Sequence, residues 1–60
     1  MTIPIKIYEA MKSIRDARDL LEASSAQTDD DIECANLKDW ADDMTSLLAS
    51  LELTYGELAA

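Results

Sequence analysis

Asp29, Asp30, Asp31 and Glu33 form the densest group of potential ligands in the chain. Oxygen donors of this kind hold hard cations such as calcium. An EF-hand loop also needs glycine at its sixth position and glutamate at its twelfth, and counting from Asp29 those positions hold Cys34 and Trp40. The group reads instead as the acidic start of a helix, where the positive end of the backbone dipole favours carboxylates. Cys34 is the only cysteine and there is no histidine, so neither an intrachain disulfide nor the usual zinc ligand sets can be assembled. With one glycine there is no phosphate-binding loop either. The expectation is a non-enzymatic protein without metal or cofactor.

Trp40 is the side chain best suited to recognition. Asn36, Asp39 and Asp43 surround it in the sequence pattern, with Asp42 close by. An aromatic rimmed by carboxylates has the composition of a contact site for a basic, partly apolar partner. These five residues are the candidate partner-binding set. The competing reading is that Trp40 covers a core.

Charge is distributed unevenly. Residues 1–25 carry four basic and four acidic side chains, whereas residues 26–60 carry Lys38 alone against nine Asp or Glu. The net charge of −8 opposes non-specific association with nucleic acid or anionic membranes, whose affinity comes largely from Lys and Arg, and points to a basic protein surface. In the first half Lys12/Asp16, Arg15/Asp19 and Arg18/Glu22 are each four apart, the spacing at which helical neighbours offset one another's charge. Arg18 falls near the centre of an apolar arc, so it should either extend to the edge or pair with Glu33. RNA contact through Lys6, Lys12 and Arg15 is the alternative, with Tyr8 the only aromatic there for stacking.

Two helices must position these groups. Ile3, Ile7, Ala10, Ile14, Ala17 and Leu21, with Met11 beside them, recur at spacings of four and three, and Pro4 fits only at a helix start. This predicts a helix over about 4–23. Ser24 to Thr28 breaks the pattern, and Thr28 or Asp29 offers a cap for a second helix over about 29–55. Its seam is Cys34, Leu37, Ala41, Met44, Leu48, Leu51, Tyr55 and Leu58, widened on one flank by Trp40 and Leu47. Gly56 ends it in a left-handed conformation, leaving 57–60 as a frayed extension.

A short linker between two such helices predicts an all-α antiparallel hairpin, one domain over residues 1–60. A core this small supplies only about 3–5 kcal/mol without further support. Dimerisation into a four-helix bundle is therefore expected, with Ile7, Met11, Ile14, Leu21, Leu37, Ala41, Met44, Leu48, Leu51 and Tyr55 as its core. No apolar run approaches the roughly 20 residues of a membrane span, and the start of the chain has no signal-like apolar stretch. A soluble, cytoplasmic protein that does not meet membranes is the expectation.

Residues 34–51 carry the seam Cys34, Leu37, Ala41, Met44 and the run Leu37-x-Asp39-x-Ala41-Asp42-Asp43-Met44. They resemble the second helix of the Rop, or repressor-of-primer, family. That resemblance implies an antiparallel dimer of helical hairpins with a more acidic second helix. It would also imply RNA-loop binding through a basic, amide-bearing and aromatic face on the first helices, but residues 1–23 do not present that set. Size and acidity also resemble those of small phage-encoded inhibitors, compact acidic dimers that block a host regulator. The reading is a homodimeric inhibitor or regulator that binds a basic surface. An RNA modulator, or a structural subunit of a larger assembly, is the alternative.

Overall fold

A computed structural model describes residues 3–58 as two antiparallel helices, α1 (Ile5–Gln27) and α2 (Asp31–Tyr55), packed along their length. The molecule is a rod measuring 43 × 16 × 15 Å. The helical hairpin read from the apolar periodicity is therefore present.

Pro4 stands at the start of α1, outside the helix by one residue, and its carbonyl accepts the first helical hydrogen bond from the Tyr8 N–H at 2.9 Å. Proline has no N–H to leave unpaired there. At its other end α1 continues four residues past the expected limit, through Ser24, Ser25, Ala26 and Gln27. The reason is tertiary. Ser25 follows Met11 and Arg18 at intervals of seven, so it returns to the face that meets α2, where it is only 5% exposed. A small side chain fits that close approach, and packing overrides the weak helix propensity of serine.

The loop is correspondingly short, and neither Thr28 nor Asp29 is the residue that caps α2. Asp30 has the extended backbone of a cap (φ −87°, ψ 117°), and its Oδ1 accepts from the N–H groups of Ile32 at 2.9 Å and Glu33 at 3.2 Å. Thr28 acts one step earlier, its Oγ1 accepting from the Asp30 N–H at 3.3 Å. Thr45 and Thr54 sit inside α2 by donating their hydroxyls to the carbonyls of Ala41 and Ser50 at 3.1 and 3.2 Å.

α2 ends at Tyr55, as the glycine predicts. Gly56 has φ +111° and ψ 163°, a combination open essentially to glycine alone. It differs from the left-handed helical conformation anticipated at that position. The chain does not continue helically through Glu57 and Leu58. The Leu58 N–H donates instead to Glu52 Oε2 at 3.1 Å, tying the segment back to the helix. Ala59 and Ala60, the end of the expected extension, lie outside the described residues.

Among the described residues three apolar side chains form the buried core: Met11, Ala41 and Leu48. Ile7, Ile14, Leu21, Leu37, Met44, Leu51 and Tyr55 line the same seam but are only half-buried. A single hairpin leaves one side of each helix's apolar arc uncovered.

Candidate functional site

The buried pair Ala41 and Leu48 marks the direction in which α2 meets α1. At 3.6 residues per turn, Asp39 points about 170° away from that line, and Asp42 and Asp43 flank it within an arc of about 100°. All three carboxylates are exposed. They form one acidic face on the outward side of α2. Lys38, the only base of this helix, is about 40° from Asp42 at one border of that face, and lines a groove with Asp42, Glu22, Ser25 and Ala26.

Trp40 does not stand in the middle of those carboxylates. It lies about 90° from the buried line, with Leu47 about 20° from it and Asn36 about 40° from it. Both apolar side chains are well exposed, Trp40 at 52% and Leu47 at 46%. Asp43 is about 60° from Trp40 and Asp42 about 160°. Trp40 with Asn36 thus borders the acidic face, and Asp42 lies across it on the groove side.

The groove has a volume of about 410 Å³ and identifies which flanks of the two helices share a side. Glu22 and Ala26 of α1 line it together with Lys38 and Asp42 of α2. The opposite flanks must then share the other side of the hairpin. On α2 these are Trp40 and Leu47, with Met44 and Leu51 half-buried beside them; on α1 they are Ala10, Ala17 and Leu21. An apolar strip runs along that side.

Arg18 does not reach Glu33, which is exposed at the start of α2. Its Nη2 and Nε donate to Asp19 Oδ1 at 3.1 and 3.2 Å. Arg15 likewise pairs with Asp16 at 3.5 Å. The local partner is the next residue in each case, and the four-apart pairs expected on α1 are not those formed. A guanidinium on a half-buried stem can bend to its adjacent carboxylate and keep its head in water, which costs less than burying a cross-helix pair.

The basic residues of α1 do not gather on one face. Lys12 Nζ lies 5.8 Å from the centre of the Tyr8 ring, and Arg15 is on the same side of the helix. Lys6 is about 120° away from Lys12, around the other side. Lys6, Lys12 and Arg15 therefore form no continuous phosphate-binding strip.

The carboxylates at the start of α2 are accounted for by helix initiation, with Asp30 engaged by two backbone N–H groups and Asp31 and Glu33 in the first turn. Among the described residues no three acidic or cysteine side chains converge as a metal site. Cys34 is half-buried, its Sγ 3.5 Å from Ser25 Oγ in hydrogen-bond contact. This contact joins the loop ends of the two helices, and the apolar pattern, which places Ser25 in the loop, does not contain it. Among the described residues no helix is long and apolar enough to cross a membrane.

The chain matches no known protein-family profile, no curated protein and no solved structure.

Proposed function

We propose that this chain is a small acidic, non-enzymatic protein-binding module that works as a homodimer and blocks a basic surface of another protein or complex. The contact is the outward face of α2, with Asp39, Asp42 and Asp43 at its centre and Asn36 at the border where the Trp40 strip begins. The observation that carries this reading is the exposure of those three carboxylates on the side of α2 opposite its packing line, with Lys38 turned to the groove. A surface of one sign steers association with the opposite sign and excludes like-charged partners. Small size, acidity and a wide apolar arc suit occlusion of a target, the mode of inhibitors and regulators that phages and mobile elements encode.

Affinity capture with tagged protein from a cell lysate, with and without nuclease, tests the proposal. A protein retained in stoichiometric amount after nuclease, and released by Asp39→Lys/Asp43→Lys while the helices stay folded, supports it. Capture unchanged by the charge reversal contradicts the assigned surface. A specific RNA in the eluate, with proteins lost on nuclease treatment, replaces the proposal with the RNA-modulator reading.

A further inference from the structure

We infer that the occupant of the Trp40 face is a second copy of this chain, related by an axis parallel to the helices. α2 of one protomer then lies beside α1 of its partner, and the two loops meet at the same end. The inference rests on the homodimeric part of the proposed function and specifies how the two copies are arranged.

The accessible surface is 4443 Å² for 6.6 kDa. A compact monomer of that mass exposes about 3,900 Å². The excess, roughly 500 Å², is below the roughly 800 Å² that each partner contributes to a standard interface and fits the smaller class, under about 600 Å² per partner. The apolar strip along the Trp40 side is where such area is available, because Trp40 and Leu47 are exposed there and Met44 and Leu51 are only half-buried. That strip lacks the carboxylates of the outward face, so a basic partner has no charge to recognise on it. An apolar surface of matching shape does.

The hairpin offers such a surface to itself. The edge of its strip on α2 is bulky, built on Trp40 and Leu47, while the edge on α1 is small, built on Ala10 and Ala17. Two symmetric arrangements cover the strip. With the axis perpendicular to the helices, α2 meets α2 and α1 meets α1. Bulky edge then faces bulky edge, small faces small, and Asp39 and Asp43 of both copies line the same border, where like charges repel. With the axis parallel to the helices, each bulky edge faces a small one. The carboxylate border of α2 then runs beside Lys6, Ser13 and Ser24 of the partner, an arc of α1 with no carboxylate.

Register supports the second arrangement. The Ser25–Cys34 contact sets the level of one helix against the other. With both copies level, Trp40 falls at the height of Asp19, between the partner's Ala17 and the partner's Leu21. Leu47 falls at the height of Lys12, next to the partner's Ala10. Each large side chain then has an alanine on one side of it, which gives room for the interlocking that a packed bundle needs.

Spin-label distance measurement on Asp29→Cys in a Cys34→Ser background, with the mass in solution measured in parallel, tests the arrangement. Loops at one end place the two labels within about 30 Å, since neighbouring helices pack about 10 Å apart. Loops at opposite ends separate them by nearly the molecular length of 43 Å. A dimer with the long distance overturns the parallel-axis arrangement and leaves the homodimer standing. A monomer overturns both. Repeating the measurement from Gln27→Cys, on the last turn of α1, guards against an effect of the loop substitution itself.

Discussion

α1 and α2 are nearly the same length and share one packing seam, yet they dispose of charge in opposite ways. On α1 the two arginines are quenched by the next residue, Arg15 by Asp16 and Arg18 by Asp19. On α2 the carboxylates of Asp39, Asp42 and Asp43 stand outward, and the single lysine is turned aside into the groove. The edges differ in the same sense: small side chains on α1, and on α2 an indole and a leucine. α1 thus offers a neutral, low-relief surface and α2 a charged, protruding one. A hairpin built this way can use one helix to recognise another protein while the unlike edges recognise a second hairpin.

Breaking the shared seam should have the largest effect. Leu48→Ala truncates a buried apolar side chain of the seam and is expected to cost about 2–5 kcal/mol, as much as a core this small supplies. Thermal unfolding by circular dichroism should show little cooperative helix at room temperature. The matched control, Leu53→Ala on the outward side of α2, alters a residue 90% exposed and should stay within about 0.5 kcal/mol of the parent.

The difference between the edges is tested next. Trp40→Ala should weaken self-association by about 2 kcal/mol, roughly thirtyfold in dissociation constant, as for an aromatic anchor at an interface. Sedimentation equilibrium would measure this, and the same variant should remain helical at concentrations where it still dimerises. Ala10→Ser, on the small edge, should change association far less.

A smaller effect is expected at the start of α2. Asp30→Ala removes the acceptor for the N–H groups of Ile32 and Glu33, and should cost about 1 kcal/mol. For a domain of this size that lowers the melting temperature by about 4–8 °C. Asp29→Ala, outside the helix and without that role, should be nearly silent.

Much of the architecture was legible because the signals were redundant. Pro4 and Gly56 mark two helix ends through backbone geometry alone, and the seam from Cys34 to Tyr55 repeats at three and four without a polar break. The loop end of α1 was not legible. Serines there have propensities compatible with loop or helix, and what decides between them is the close packing of Ser25 on Cys34, a contact that local sequence does not contain. Three consecutive aspartates likewise offer three similar caps, and the one chosen depends on the path of the chain between the helices.

The candidate surface was legible in composition and less so in geometry. Asp39, Asp42, Asp43 and Trp40 are neighbours in sequence, but a helix spreads neighbours around its axis. Asp42 and Trp40 end up on nearly opposite sides, an outcome that helical periodicity already contains once the packing direction is known.

The smallest expected effect concerns the acidic face. Because its carboxylates repel one another and only Asp42 has a base, Lys38, beside it, raising salt from about 0.01 to 0.15 M, which shortens the screening length from about 30 to 8 Å, should raise the melting temperature by a few degrees. A fall would mean that ion pairs contribute more than repulsion.

The most direct test of the account is the mass of the protein in solution, measured by light scattering across a concentration series. The account predicts a particle of twice 6.6 kDa that dissociates on dilution. A particle that stays at 6.6 kDa at high concentration would contradict it, because the Trp40 strip would then have to be covered by a different chain.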